Sequence, residues 1–208
     1  MKLDTNLSRR LDRKWWIFGA VAVGSLVTVV DQTGVNLALP RISERFDATI
    51  PAVQWVALGY ILTTGMLLLP MGRLSDMVGR KRVYTVGFAI FTLGAVLSGS
   101  STALLTLILF RAFQGIGSAM VQANAMAIVT STFPSSERGK AIGLFMTMVG
   151  LGAITGPIVG GAVVSLLSWR FVFLLAVPLG LISIASALLV LEGGPPAGSD
   201  RAAGRFRF

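Results

Sequence analysis

Gly72-Arg73-Leu74-Ser75-Asp76-Met77-Val78-Gly79-Arg80-Lys81-Arg82 is a short charged run set between two long apolar segments. Six apolar segments run along the chain, and this is the only tight link that carries one acid with four bases. Such a link sits in water at one face of a membrane while both flanks enter lipid. Its two glycines, Gly72 and Gly79, permit a sharp reversal and φ > 0. Asp76 can accept hydrogen bonds from backbone N–H groups or from Arg73 and Arg80. The bases alone fit a turn on the cytoplasmic side, where Lys and Arg accumulate. That leaves the acid and the glycines without a reason.

The composition agrees with a membrane protein. Of 208 residues, 54% are hydrophobic and 13% charged, against about 25% charged in soluble domains. A helical span needs about 20 apolar residues, so the chain has room for six. Cysteine and histidine are both absent. There is no disulfide framework and no thiolate metal site, and the commonest general base and metal ligand is missing, which excludes a zinc intramembrane protease. No Gly-Lys-Ser/Thr follows a glycine-rich turn, so there is no nucleotide loop. The net charge of +9 does not indicate a nucleic-acid partner, because the bases fall at the ends of apolar blocks.

Residues 1–14 read as a basic cytoplasmic N-terminus, followed by Trp15 and Trp16 at the level of an interfacial aromatic belt. The apolar core that follows is too long for a signal peptide. The spans are expected at about Trp16–Leu39, ended by Pro40, then Val53–Met71, Val83–Ser98, Ala103–Ser131, Ala141–Leu166 and Phe171–Leu191. Trp55 and Tyr60 fall near the start of the second. Residues 41–52 read as an outer loop, 133–140 as an inner loop and Ser168-Trp169-Arg170 as a brief outer turn. Residues 15–191 thus form one six-helix membrane domain. Residues 192–208 form a Gly/Pro-rich basic tail or linker. With this topology fourteen of the eighteen bases lie inside, Arg41, Arg45 and Arg170 lie outside, and Arg111 lies within a span. Both termini are therefore expected to be cytoplasmic.

Asp31 and Arg111 are the ionisable residues well inside spans. A charge at the bilayer centre costs about 2.5–3.5 kcal/mol on insertion scales, so such residues normally face a polar cavity and mark a path for ions or substrate. The alternative is a structural pair that holds two helices together. Gln32 and Asn36 add polar groups to the helix of Asp31, and Gln114, Gln122 and Asn124 to that of Arg111. Burial favours the neutral form of an acid, and a fixed cation favours the ionised form of an approaching carboxylate. Together these suit proton uptake and release. Gly152, Gly156 and Gly160 recur every fourth residue, a flat strip against which another backbone can pack, and Pro157 bends that helix. Phe145, Met146 and Met148 could line a cavity, although residues of this kind more often face lipid or core.

Five stretches carry a family resemblance. Gly72, Leu74, Asp76, Gly79, Arg80 and Lys81 resemble the link between the second and third helices of the major facilitator superfamily, where the aspartate helps to latch the two halves of the transporter. Asp31, Thr33, Asn36, Ala38, Leu39 and Pro40 resemble the first-helix motif of its drug:proton antiporters. Arg111-Ala112-Phe113-Gln114-Gly115-Ile116-Gly117 resembles the fourth-helix motif, whose arginine is implicated in proton coupling. Gly152-Ala153-Ile154-Thr155-Gly156-Pro157-Ile158-Val159-Gly160-Gly161 resembles the fifth-helix antiporter motif, thought to limit ion leak by bending and packing. Trp169 to Pro178 resembles the start of the sixth helix in the fourteen-helix subgroup more than in the twelve-helix one, with Ala176 where an asparagine usually stands.

The resemblance implies an all-α integral membrane fold, the N-terminal six-helix bundle of a transporter built as a three-plus-three inverted repeat. It implies proton-coupled efflux of small amphiphilic drug-like molecules across the cytoplasmic membrane. No cofactor beyond the proton gradient would be needed, and lipid and a C-terminal half, or a second half-transporter copy, would be the partners. Asp31, Arg111, Gln114 and Asn36 would serve coupling and substrate; Gly72, Asp76, Gly79, Arg80 and Lys81 would gate; Gly152, Gly156, Pro157, Gly160 and Gly161 would pack. The other reading is a truncated, non-transporting module that assembles with or binds another half. An enzyme is the least expected of the three, since the spans contain no paired carboxylates.

Overall fold

The computed structural model describes residues 3–191, with side chains described from residue 13 onward. The bases at positions 2, 9 and 10, and the whole 192–208 tail, were read above as cytoplasmic; those side chains and that tail lie outside what is described. The described residues form α1 (Leu3–Phe46), α2 (Ile50–Val78), α3 (Arg80–Gly99), α4 (Leu104–Thr132), α5 (Arg138–Leu166), α6 (Trp169–Leu174) and α7 (Ala176–Val190). Six helical segments are long and apolar enough to cross a membrane, with α6 and α7 together making the sixth.

Several boundaries differ from the sequence reading. Trp169 and Arg170, read as an outer turn, begin α6, and residues 138–140, read as inner loop, begin α5. Three further differences shape the bundle. Pro40 does not end α1, which runs on to Phe46. A proline forfeits only its own N–H bond, here to the Asn36 carbonyl, and can be carried as a local irregularity. The turns beyond it are held by buried Ile42 and by an Arg41–Glu44 ion pair of 3.1 Å. The outer loop shrinks to residues 47–49, turned at Asp47 (φ 47°). Second, the charged link is not a loop. Gly72 through Val78 belong to α2 and Arg80 through Arg82 to α3. Gly79 alone lies outside the helices, at φ 106° and ψ 131°, a conformation that a side chain rarely adopts. Helices of 29 residues span about 44 Å at 1.5 Å per residue, against a hydrocarbon core of about 30 Å, so their ends stand in water while still helical. Third, the sixth span breaks at Leu175. Pro178 has no N–H for the Leu174 carbonyl and its ring crowds that carbonyl.

Packing interleaves the two three-helix units. The second helix of each unit lies on the first helix of the other, α2 on α4 and α5 on α1, while α3 packs against both α4 and α7. Several crossings are close enough to demand glycine. A Cβ on Gly117 of α4 would strike the Gly87 carbonyl and Phe91 backbone of α3, and one on Gly115 would lie 2.8 Å from the Tyr60 carbonyl of α2. Without a hydrophobic drive between helices in lipid, such backbone-to-backbone packing supplies much of the association. Two apolar clusters result. One gathers Phe18, Tyr84, Phe88, Val129 and Phe145, and the other Val35, Ile42, Val53, Leu107 and Phe173. Asp31 on α1 and Arg111 on α4 fall between them, at the waist of the bundle.

Candidate functional site

At that waist three side chains close a ring. Arg111 Nη1 donates to Asp31 Oδ2 at 2.7 Å and to Gln114 Oε1 at 2.7 Å. Gln114 Nε2 donates back to Asp31 Oδ1 at 3.2 Å. The Asp31 and Arg111 side chains are each only 1% exposed. Arg111 and Gln114 are three residues apart on α4 and so share a face. Gly94 of α3 lets Gln114 sit down: a Cβ there would be 2.6 Å from the Gln114 Cβ. The guanidinium also lies over two aromatic rings. Its carbon lies 4.3 Å from the Tyr60 ring centroid and 5.4 Å from that of Phe173, contacts that stabilise a desolvated cation by about 0.5–2 kcal/mol each. Tyr60 in turn donates to Ser118 Oγ at 2.6 Å, which also accepts from Gln122 Nε2 at 2.8 Å. Helices α1, α2, α4 and α6 therefore meet on one cation.

Tyr60 was read from the sequence as lying near the start of its span, beside Trp55. It is fully buried under Arg111, while Trp55 is half exposed. Ser118, Gly94 and Phe173 also escaped notice. The available signal was spacing: Arg111, Gln114 and Ser118 lie on one helical face. Asn36 does not join the ring; it sits on the exposed side of α1. Asn124 is buried and donates to the Met120 carbonyl at 2.6 Å on its own helix. Phe145 is core, Met148 packs on that core, and Met146 is exposed.

Beside Asp31, between α1, α5 and the α6–α7 break, is a cavity of about 20 Å³. It is lined by Gly34, Gly156, Gly160 and Ala176 among others. One water needs about 10–15 Å³, so one fits against the carboxylate. The small side chain of Ala176 leaves this space open.

The fifth-helix glycines seat α5 on α1. A Cβ on Gly160 would lie 2.6 Å from the Gly34 carbonyl oxygen and 2.8 Å from its Cα. One on Gly156 would strike Thr33 Oγ1 and one on Gly152 would come within 3.1 Å of Val29. Gly161 faces Leu37 at an ordinary 3.9 Å. Pro157 is accommodated within an uninterrupted α5.

The charged link divides its tasks. Arg80 Nη1 donates to the Ala127 carbonyl of α4 at 3.0 Å, and Lys81 Nζ to the Leu188 carbonyl of α7 at 2.9 Å. Arg80 Nη2 reaches Asp76 Oδ1 at 3.4 Å, with Asp76 57% exposed. Gly72 has open space around it and its carbonyl accepts from Ser75 Oγ at 2.8 Å.

Comparison with known proteins identifies the family. The family model described as Major Facilitator Superfamily matches residues 21–207. The chain is 36% identical over 174 residues to the riboflavin transporter RibZ of Clostridioides difficile, covering 84% of this chain and 38% of that protein. It is 34% identical over 179 residues to the tetracenomycin C resistance and export protein of Streptomyces glaucescens, covering 86% and 33%. The chain thus spans between about a third and two fifths of the length of these curated relatives. A crystal structure of a bacterial homologue of the human lysosomal transporter Spinster, inward-facing and occupied, superposes with a TM-score of 0.75 at 20% identity, over 91% of this chain and 47% of that one. A membrane-capable six-helix bundle, the signature residues in place and a family match over nearly its whole length lead to one assignment: the chain belongs to the Major Facilitator Superfamily.

Proposed function

We propose that the chain forms the N-terminal half of a proton-coupled exporter of small amphiphilic molecules, with Asp31 as the proton site and Arg111 as the coupling charge. The observation that carries this reading is the buried Asp31–Arg111–Gln114 ring. Protonation of Asp31 removes the charge that balances Arg111. The guanidinium then keeps Gln114 and the two aromatic faces but loses its ion pair, and the α1–α4 contact weakens. Loss of the proton restores it. A cationic substrate that approaches the carboxylate competes with both the proton and Arg111, which is the exclusion that antiport requires. The water-sized cavity beside Asp31 gives the proton a first stopping place.

The relatives support the class of cargo. They include proteins named for export of tetracenomycin C, for puromycin resistance and for multidrug resistance. Helices α2 and α5 bury least of themselves inside this bundle, which leaves their outer faces to lipid and to a C-terminal half or a second copy of the bundle. The proposed setting is the cytoplasmic membrane with the N-terminus inside, where the Gly79 link and its bases meet the cytoplasm. Asp76, with one carboxylate oxygen bound to Arg80, would latch the facing half, and Gly156 and Gly160 would keep the α1–α5 seam shut to ions.

The test is ΔpH-driven efflux from everted vesicles carrying the complete transporter. Asp31→Asn should abolish acceleration by the proton gradient while the protein remains in the membrane. Gradient-driven efflux at the wild-type rate would remove Asp31 from the coupling step.

A further inference from the structure

We propose that the end of the bundle opposite Gly79 carries a binding site for the phosphate of an anionic phospholipid headgroup, built from Arg41, Arg45 and Arg170. These are the three bases that the topology places at that end, and they come from two distant parts of the sequence. Arg41 and Arg45 lie in the last turns of α1 and Arg170 in the first turn of α6. The fold brings them to one open hollow of about 530 Å³.

Each arginine is held differently. Arg170 stacks over the Trp169 ring at 4.5 Å and donates Nη2 to the Ser101 carbonyl at 3.2 Å, which fixes its guanidinium before any ligand arrives. Arg41 is paired with Glu44 at 3.1 Å, both well exposed. The Arg45 side chain makes no hydrogen bond or ion pair with the described residues. Glu44 offsets one of the three cations, so the hollow keeps a surplus of two positive charges. Like charges gathered in a concavity repel one another unless an anion joins them. The guanidinium fork matches phosphate oxygens in pairs.

The surroundings select the source of the phosphate. Leu167, 64% exposed, lines the hollow, and Leu166 beside it is 81% exposed. Both close α5, a helix long enough to cross the membrane. A phosphodiester seated among the arginines would lay its acyl chains over these leucines. A free phosphate would leave them bare. The site needs neither proton coupling nor export, and so stands independently of the proposed function.

The experiment is native mass spectrometry of the purified chain released from non-ionic detergent, with dioleoylphosphatidylglycerol, dioleoylphosphatidylcholine or inorganic phosphate added. The chain should retain phosphatidylglycerol in preference to phosphatidylcholine. At about the attraction expected for one basic residue near an anionic headgroup, Arg45→Gln should weaken retention about fivefold and Arg41→Gln/Arg45→Gln/Arg170→Gln about a hundredfold. Arg73→Gln/Arg82→Gln/Lys140→Gln removes the same charge from the other end and should retain the lipid. Arg45 has no partner to lose, so its single variant decides the matter even where the triple variant folds poorly. Equal retention by Arg45→Gln and wild type, equal loss in the opposite-end control, or displacement of the lipid by millimolar phosphate would each overturn the assignment.

Discussion

Two neighbouring glycines on α5 should respond to the same substitution with opposite signs. A Cβ added at Gly160 would lie 2.6 Å from the Gly34 carbonyl oxygen, about 0.8 Å inside ordinary contact, and 2.8 Å from the Gly34 Cα. Both obstacles are backbone, so no rotamer change relieves them and α5 must move off α1. Overpacking of this kind costs about 1–3 kcal/mol, partly offset by the roughly 0.5–1 kcal/mol that alanine gains over glycine in a helix. At Gly161 the added Cβ meets only Leu37, at 3.9 Å, so the helix gain stands alone. Equilibrium unfolding of the purified chain in mixed micelles should show Gly160→Ala less stable by up to about 2.5 kcal/mol and Gly161→Ala unchanged or more stable by up to about 1 kcal/mol. Gly156 supplies an internal control, because its worst obstacle is the Thr33 hydroxyl, a side chain that can be removed. Gly156→Ala should be rescued in part by Thr33→Ala, and Gly160→Ala should not. If Gly160→Ala and Gly161→Ala shifted stability equally, or Gly160→Ala stabilised the chain, the backbone contact between α1 and α5 would not exist as described.

The ion pair invites a double-mutant cycle in the same unfolding assay. Asp31→Asn and Arg111→Gln should each destabilise by about 3–5 kcal/mol, by leaving one buried charge without its partner, and the double variant should be more stable than either single one; additive losses would contradict a direct pair. At the Gly79 hinge, Gly79→Ala should destabilise by about 1–3 kcal/mol because φ 106° is strained for any side chain, whereas Gly72→Ala, within a helix and facing open space, should be neutral or slightly stabilising. Equal effects at the two positions would mean that the reversal is shared between them.

Hydropathy made the six spans legible, because in lipid every backbone group must be satisfied within a helix. It could not mark where those helices stop, since it senses lipid and not hydrogen bonding. That is why α2 continues through Gly72–Val78 and α1 passes Pro40. Proline was an uneven guide for a related reason. Pro40 and Pro157 are absorbed, while Pro178 coincides with a break at Leu175; the sequence around each offers no rule that separates them. Asp31 and Arg111 stood out because charge within a span is rare, and the ion pair foreseen as the structural alternative is present. Tyr60 and Phe173 did not stand out, since an aromatic residue in a span most often faces lipid or core. Only the three-dimensional crossing of α2, α4 and α6 puts their rings on a guanidinium. The convergence of Arg41, Arg45 and Arg170 depends likewise on where α6 begins relative to the end of α1.

The charged link gains a different meaning once it is seen as a one-residue hinge. A flexible loop would let α2 and α3 move separately. Here Gly79 reverses the chain and the next two residues at once bind other helices, Arg80 to α4 and Lys81 to α7. The start of α3 is therefore fastened to both ends of the second three-helix unit. Interleaved packing adds to this, because α2 rests on α4 and α5 on α1, so neither unit can rotate without the other. In the proposed function, motion within the bundle would centre on the waist, as a change in the Asp31–Arg111 contact. Larger motion would then fall between this bundle and the partner half proposed above. In the proposed function the exposed carboxylate of Asp76, tied by a single long bond to Arg80, would reach across that boundary. Such a latch would need a rigid anchor, and the bonds of Arg80 and Lys81 to α4 and α7 offer one.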